Sequence, residues 1–276
     1  MGVAVSPVGS SGKKVGLVLS GGAARGLAHV GVLRVLHHEK IPIDIITGTS
    51  SGAVVGAAYS RDQDINRITR DVLDTNWKTA APLFDVSFPK TGLLKGRKIR
   101  DLIAGYVGGN IKFSDLKIPF ACVATDIDTG EEVVIDSGSV PDALRASISV
   151  PGIFTVVKLG GRNLVDGGLT TPLPVEIARR MGADFIIAVN VNPHVTDRMR
   201  KKSEKEPNIF QVLLQSIYIA TYSLARNSVE EADIVIEPNL RAIGATDFQK
   251  ARLLITRGRQ AARSAIPEIK RKLAGL

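Results

Sequence analysis

The sequence predicts an α/β domain built around a mostly parallel sheet. Three observations point there. Lys14–Ser20 reads as a β-branched, apolar strand ending at Gly21-Gly22. Gly26–Lys40 follows as a helix, with Leu27, Val30, Leu33 and Leu36 on one face. Pro42 then opens a second apolar run, Ile43–Ile46, which ends at a serine-rich turn. Strand, helix and strand in succession form a β-α-β unit, which implies parallel strands and a right-handed crossover.

The remaining elements follow in order. The small residues Ala53–Ala58 read as a helix behind the serine turn, and Asp64–Asp74 as another. Trp77–Leu94 is irregular and apolar. Strands Phe120–Thr125 and Glu132–Asp136 are joined by the turn Asp126–Gly130, and Pro141–Val150 reads as a helix. Asn163–Val165 is a short strand behind a Gly160-Gly161 hairpin turn. The helix Pro174–Met181, with Gly182 as its C-cap, introduces the buried strand Phe185–Val191. His194–Pro207 is a polar, charged loop. Helices Ile209–Arg226 and Phe248–Leu273 flank a short strand, Ile234–Glu237. No internal repeat is visible, so one domain is expected over residues 14–276, behind a disordered tail, 1–13.

The chain has 276 residues, 44% hydrophobic and 23% charged, ordinary for a globular domain that needs no staples. Its single cysteine, Cys122, excludes an intramolecular disulfide and sits in an apolar run. No stretch approaches about 18 apolar residues free of charge. Residues 1–12 lack a basic start and an apolar core, so a cytoplasmic protein is expected. The net charge of +9 suits acidic partners or anionic lipid, whereas 5% aromatics is too low for nucleic-acid stacking platforms. The basic clusters Lys95–Arg100 and Arg198–Lys205 read first as solvated surface.

Gly48-Thr49-Ser50-Ser51-Gly52 has the G-x-S-x-G spacing in strand–turn–helix context. Such a turn lifts a serine on strained backbone above a sheet, and glycines let strand and helix come close. The alternative is a serine-rich turn that caps a buried helix. Gly21-Gly22-Ala23-Ala24-Arg25-Gly26, between the first strand and its helix, exposes backbone N–H groups suited to an anion. That anion is a bound phosphate or the oxyanion of acyl transfer. A dinucleotide fingerprint is weak, because Ala23 replaces the expected glycine and Asp44 lies at the wrong end of its strand. No P-loop spacing exists. Asp166-Gly167-Gly168, taken alone, is a turn signal.

Together these motifs resemble the patatin-like phospholipases, over about residues 14–270. The resemblance includes Arg25–Leu33 and Arg145-Ala146-Ser147-Ile148-Ser149-Val150-Pro151-Gly152, which looks like the family's Ala-Ser-x-x-x-Pro block. It implies a three-layer α/β/α fold, also similar to acyl-carrier transacylases. It further implies Ser50 as nucleophile, Asp166 as its base, and the amides around Gly21, Gly22 and Ala23 as an oxyanion hole. Arg25, Gly26, Gly48, Gly52, Gly167 and Gly168 would support those motifs. Ala23 departs from the family's usual third glycine, which leaves open which amide faces the oxyanion. The implied mechanism uses no metal and no cofactor, and the chain has no zinc-ligand spacing or EF-hand loop.

Four histidines could convert the dyad to a triad: His29, His37, His38 and His194. His194 follows Asp166 but opens the charged loop; the others lie on the first helix. Direct Asp166–Ser50 catalysis is therefore the expectation, and it needs a desolvated Asp166 within hydrogen-bond reach of Ser50. Ser147 and Ser149 lack an elbow and read as helix-terminus residues.

Lipid esters, (lyso)phospholipids among them, are the expected substrates, and nucleic acid is not an expected partner. Trp77–Leu94, beside Lys90, Lys95, Arg97 and Lys98, reads equally as a flap touching an anionic membrane or as a packed loop. Two alternatives stay open: an acyltransferase on the same fold, and a non-enzymatic nucleotide-binding module using Gly21–Gly26. The oligomeric state is not readable.

Overall fold

The computed structural model describes residues 12–75, 97–192, 209–241 and 243–275. Its strands are β1 (Val15–Leu19), β2 (Ile45–Thr49), β3 (Phe120–Asp126), β4 (Glu132–Ile135), β5 (Val157–Leu159), β6 (Arg162–Asp166), β7 (Phe185–Val189) and β8 (Ile234–Ile236). Its helices are α1 (Leu27–His38), α2 (Ser51–Asp62), α3 (Ile65–Asp74), α4 (Arg97–Val107), α5 (Val140–Ser147), α6 (Val175–Arg180), α7 (Ile209–Glu230) and α8 (Ala251–Ala274).

The strands form one eight-stranded sheet in the order β5-β6-β3-β2-β1-β7-β8, with β4 paired to β3 off that path. β3, β2, β1, β7 and β8 run parallel, and β4, β5 and β6 join antiparallel. Alternation along β1 shows the layering. Val15, Leu17 and Leu19 enter a core with Leu33 and Leu36 of α1 and Leu254 of α8, whereas Val18 packs with Val175 and Ala178 of α6 and Ala225 of α7. Helices thus cover both faces, the three-layer arrangement expected. α1 and α8 touch backbone to backbone: a Cβ on Gly31 would lie 2.0 Å from the Ile255 carbonyl oxygen. Cys122 is buried in β3, where desolvation pushes its thiol up and leaves it inert.

Some boundaries differ from the sequence reading. α4 was not anticipated; its apolar positions Ile99, Ile103 and Val107 hold a helical spacing, but the element is short and opens in a basic cluster. α5 stops at Ser147 rather than Val150, because Pro151 disfavours helix in the residue before it. α7 runs on to Glu230. The Trp77–Leu94 segment, the 198–205 cluster, His194 with its loop, and most of the 1–13 tail lie outside the described residues.

Strand order reverses beside β1, which has β2 on one side and β7 on the other. In open α/β sheets the crevice at the carboxyl ends of the strands, at such a switch point, is where ligands bind. The Gly21 loop leaves β1 there, Ser50 leaves β2, and Asn192 follows β7.

Candidate active site

Ser50 sits between β2 and α2 with φ 53° and ψ −122°, a backbone conformation that non-glycine residues rarely adopt. Close packing holds it there. A Cβ on Gly52 would lie 2.3 Å from the Leu19 carbonyl oxygen, and one on Gly48 would lie 2.8 Å from the backbone of Ala53. The first turn of α2 therefore rests on the end of β1, and the chain has no room to relax at Ser50.

Asp166 reaches Ser50 through the register of β3. Cys122 and Val123 pair with both β2 and β4; Ala124 and Thr125 pair with both β4 and β6. Because a strand has two edges, β2 and β6 must share one edge of β3, approaching each other head on. Thr49 lies opposite Val123 and Asp166 opposite Ala124, so the two strand ends meet. Gly167 makes the turn that follows possible, since a Cβ there would lie 2.3 Å from the Val123 carbonyl oxygen.

The meeting produces a direct contact. Ser50 Oγ donates to Asp166 Oδ2 at 2.7 Å, and Gly168 N–H donates to Asp166 Oδ1 at 2.8 Å. Thr125 Oγ1 donates to the Asp166 carbonyl at 3.1 Å. Ser50 and Asp166 are 8% and 7% exposed. Desolvation raises the Asp166 carboxyl to about 6, while its hydrogen bonds from Ser50 and Gly168 pull the other way. Such a carboxylate is a better proton acceptor than an exposed one, yet stays ionised at neutral pH.

The segment Ser147–Ser149 holds both residues. Ser147 Oγ accepts the Ser50 N–H at 2.9 Å, and the Ser149 carbonyl accepts the Asp166 N–H at 2.9 Å. Arg145 braces this segment: it donates to Ser149 Oγ and to the Thr155 carbonyl, and lies 5.2 Å over the Phe154 ring. Ser147 does end a helix, as expected, but its role at the elbow was missed. The signal was its place in the Ala-Ser-x-x-x-Pro block.

The glycine loop lies directly over Ser50; a Cβ on Gly21 would be 3.3 Å from Ser50 Cβ. One expectation needs correction here. The Gly21 N–H already donates to the Pro172 carbonyl at 3.1 Å, so it is not available to an oxyanion. The Ala24 N–H is taken by the Ala245 carbonyl at 2.9 Å. Among the described residues nothing accepts from the amides of Gly22 and Ala23. Ala23 adopts φ 51° despite its side chain. Asn192 Nδ2 fixes the loop by donating to the Gly21 carbonyl at 2.9 Å, and Arg25 Nε does so through the Ile243 carbonyl at 2.9 Å. Gly26 has no room for a side chain, since a Cβ would lie 2.3 Å from Ser51 Oγ. With two amides engaged, the loop is a poor cradle for a phosphate group, which wants several consecutive donors.

Among the described residues no histidine ring hydrogen-bonds to Ser50 or Asp166. His29 is fully buried with Nε2 on the Ser20 carbonyl at 2.9 Å, and burial lowers its pKa to about 4. It is a neutral donor that pins the end of β1. His37 pairs with the Tyr59 hydroxyl at 3.0 Å, remote from the elbow. The Asp126–Gly130 segment is a turn, with Asp126 Oδ1 accepting the Asp128 N–H at 3.0 Å. Among the described residues no His, Cys, Asp and Glu cluster is suited to a metal.

Two cavities meet at Ser50. The larger, about 150 Å³, is apolar and runs beneath α2 between Val54, Ala58, Ile68, Val72, Ile103 and Phe154. The smaller, about 50 Å³, is bounded by the glycine loop, Asp166, Gly168, Asn192 and Thr221.

The patatin-like phospholipase family matches residues 17–179. An uncharacterised NTE-family protein of Mycobacterium tuberculosis (strain ATCC 25618 / H37Rv) is 31% identical over 278 aligned residues, covering 93% of this chain and 47% of its own length. Lysophospholipase NTE1 of Debaryomyces hansenii is 29% identical over 268 residues, covering 87% of this chain and 17% of its own. The chain therefore spans about half or less of these relatives. The crystal structure of VipD from Legionella pneumophila shares the fold with a TM-score of 0.50 at 13% identity, covering 91% of this chain and 67% of that one. Because the family match takes in more than half of the sequence, the chain belongs to the patatin-like phospholipase family.

Proposed function

We propose that the chain is a serine lipid acyl hydrolase that cleaves carboxylic esters of (lyso)phospholipids or related lipid esters through a Ser50–Asp166 dyad. The observation that carries this reading is the 2.7 Å hydrogen bond from Ser50 Oγ to a buried carboxylate poised near pH 6. Ser50 Oγ attacks the ester carbonyl carbon while its proton passes to Asp166 Oδ2. The oxyanion that forms takes the amides of Gly22 and Ala23. Collapse breaks the bond to the alcohol oxygen, which leaves with the proton from Asp166. Water then attacks the acyl-enzyme, gives a proton to Asp166, and the proton returns to Ser50 as the fatty acid departs.

Family membership and the name of the yeast relative support a lipid substrate, and the apolar cavity at Ser50 supports it independently. No helix among the described residues is long and apolar enough to cross a membrane. Val212, Leu213, Ile219 and Leu224 are exposed on α7, the helix whose Ile217, Tyr218 and Thr221 line the smaller cavity, and support peripheral contact with a lipid surface. The test is ester hydrolysis together with fluorophosphonate labelling. Labelling confined to Ser50, with activity lost in Ser50→Ala and Asp166→Asn but kept in His194→Ala, supports the dyad. Loss of activity in a folded His194→Ala protein overturns it.

A further inference from the structure

We propose that the two cavities divide the ester between them, the acyl chain lying in the apolar cavity beneath α2 and the leaving alcohol in the smaller one beside Asp166. The inference rests on the Ser50–Asp166 reading. In that reaction the bond from carbonyl carbon to alcohol oxygen breaks, and the proton that Asp166 took from Ser50 passes to that oxygen. The alcohol must therefore leave on the side of Asp166. Both cavities are lined by Ser50, but among the described residues Asp166 lines the smaller alone. The chemistry of the walls agrees. The larger cavity presents Val54, Ala58, Ile68 and Val72, whereas the smaller sets Asp166, Asn192 and Thr221 beside Leu169 and Ile217.

Dimensions add a size class. Ser51, Val54, Val55 and Ala58 form one stripe of α2 along the larger cavity, spaced one helical turn apart. From Ser51 to Ala58 the helix rises about 10 Å, and an extended chain advancing about 1.2 Å per bond fills that with about eight carbons. An apolar cavity of about 150 Å³ holds a benzene-sized group in another protein, the same order of size. The smaller cavity, about 50 Å³, has room for about four water-sized groups at 10–15 Å³ each. That is room for a short hydroxylated alcohol, with Asn192 and Thr221 in the lining.

The test uses the full chain and two ester series, read by fatty-acid release. One holds glycerol constant and varies the acyl group from butyryl to palmitoyl. The other holds octanoyl constant and varies the alcohol through glycerol, ethanol and octanol. Val72→Phe shortens the larger cavity, and Thr221→Leu fills the smaller one with an apolar group. Val72→Phe is expected to change the hexanoyl-to-dodecanoyl rate ratio about tenfold, the scale on which apolar pockets discriminate, without moving the alcohol ratios. Thr221→Leu is expected to lower the glycerol-to-ethanol ratio about tenfold without moving the acyl ratios. Thermal unfolding checks each variant, and Val72→Leu replaces Val72→Phe if the larger side chain unfolds the protein. Crossed effects, or no selectivity change in either variant, overturn the assignment. Ser50→Ala or Asp166→Asn keeping wild-type rates would instead sink the dyad, so the two failures are told apart.

Discussion

The Ser147 side-chain oxygen accepts the main-chain N–H of Ser50 at 2.9 Å, with Ser147 fully buried at the end of α5. This bond fixes the peptide plane that enters the strained elbow, and with it the direction of Ser50 Oγ. Ser147→Ala leaves that amide unpaired, at a cost of about 1–3 kcal/mol, and removes the bond that orients Ser50 Oγ toward Asp166. The expected result is a fall in kcat of about 10²-fold with KM nearly unchanged, since a misplaced reacting atom costs on that scale. Steady-state kinetics checks this, with Ser147→Thr restoring most of kcat. Equal losses in kcat and Tm for Ala and Thr would reduce the bond to simple packing.

Asp166 lowers the stability of the protein that carries it. Its carboxyl is raised from 3.8 to about 6, so the folded state holds a proton more tightly than the unfolded state does. Stability from this group therefore declines as pH rises through that window, a deficit on the order of 3 kcal/mol above it. Asp166→Asn should unfold at higher urea than wild type at pH 7.5, with the advantage shrinking toward pH 4. In wild type, kcat/KM should fall on the acid side near pH 6, where the base becomes protonated.

His29 acts in the opposite direction over nearly the same range. Its pKa drops from 6.5 to about 4 because the ring is buried. The stability it contributes is complete above pH 6.5 and is lost as pH falls toward 4, again on the order of 3 kcal/mol. Wild type should thus show a flat profile from these two groups between pH 6 and 4. Asp166→Asn removes one of them, and its urea midpoint should fall steeply across that interval.

Ala23 holds φ 51°, where a Cβ is unfavourable by about 1–2 kcal/mol. Ala23→Gly should raise Tm and keep ester hydrolysis, because the amide proposed for the oxyanion is retained. Ala23→Val should lose both stability and activity, since a β-branched residue resists positive φ more strongly. Calorimetry and an esterase assay on the pair decide it.

Much of this was legible in the residues themselves. The alternation from Lys14 and the run before Gly48 locate β1 and β2, whereas the choice between an elbow and an ordinary cap at Ser50 needs its backbone angles, φ 53° and ψ −122°. The order of the parallel strands was not legible, because periodicity does not report which strands are neighbours. Ser50 and Asp166 are brought together by β2 and β6 sharing an edge of β3, a relation set by register. The Ala-Ser-x-x-x-Pro block marks the position of Ser147, but its partner is a main-chain N–H 97 positions away, which that block does not name. The resemblance implies the Gly21 amide for the oxyanion, and nothing in a glycine-rich stretch reveals that the Pro172 carbonyl occupies it.

The rate of ester hydrolysis by Asp166→Asn at pH 8, measured on protein shown to be folded, tests the dyad most directly. A positioned general base contributes about 10²–10⁴-fold, so a loss on that scale is expected, with Ser50→Ala at least as inactive. Hydrolysis within tenfold of wild type by folded Asp166→Asn would mean that some other group takes the serine's proton.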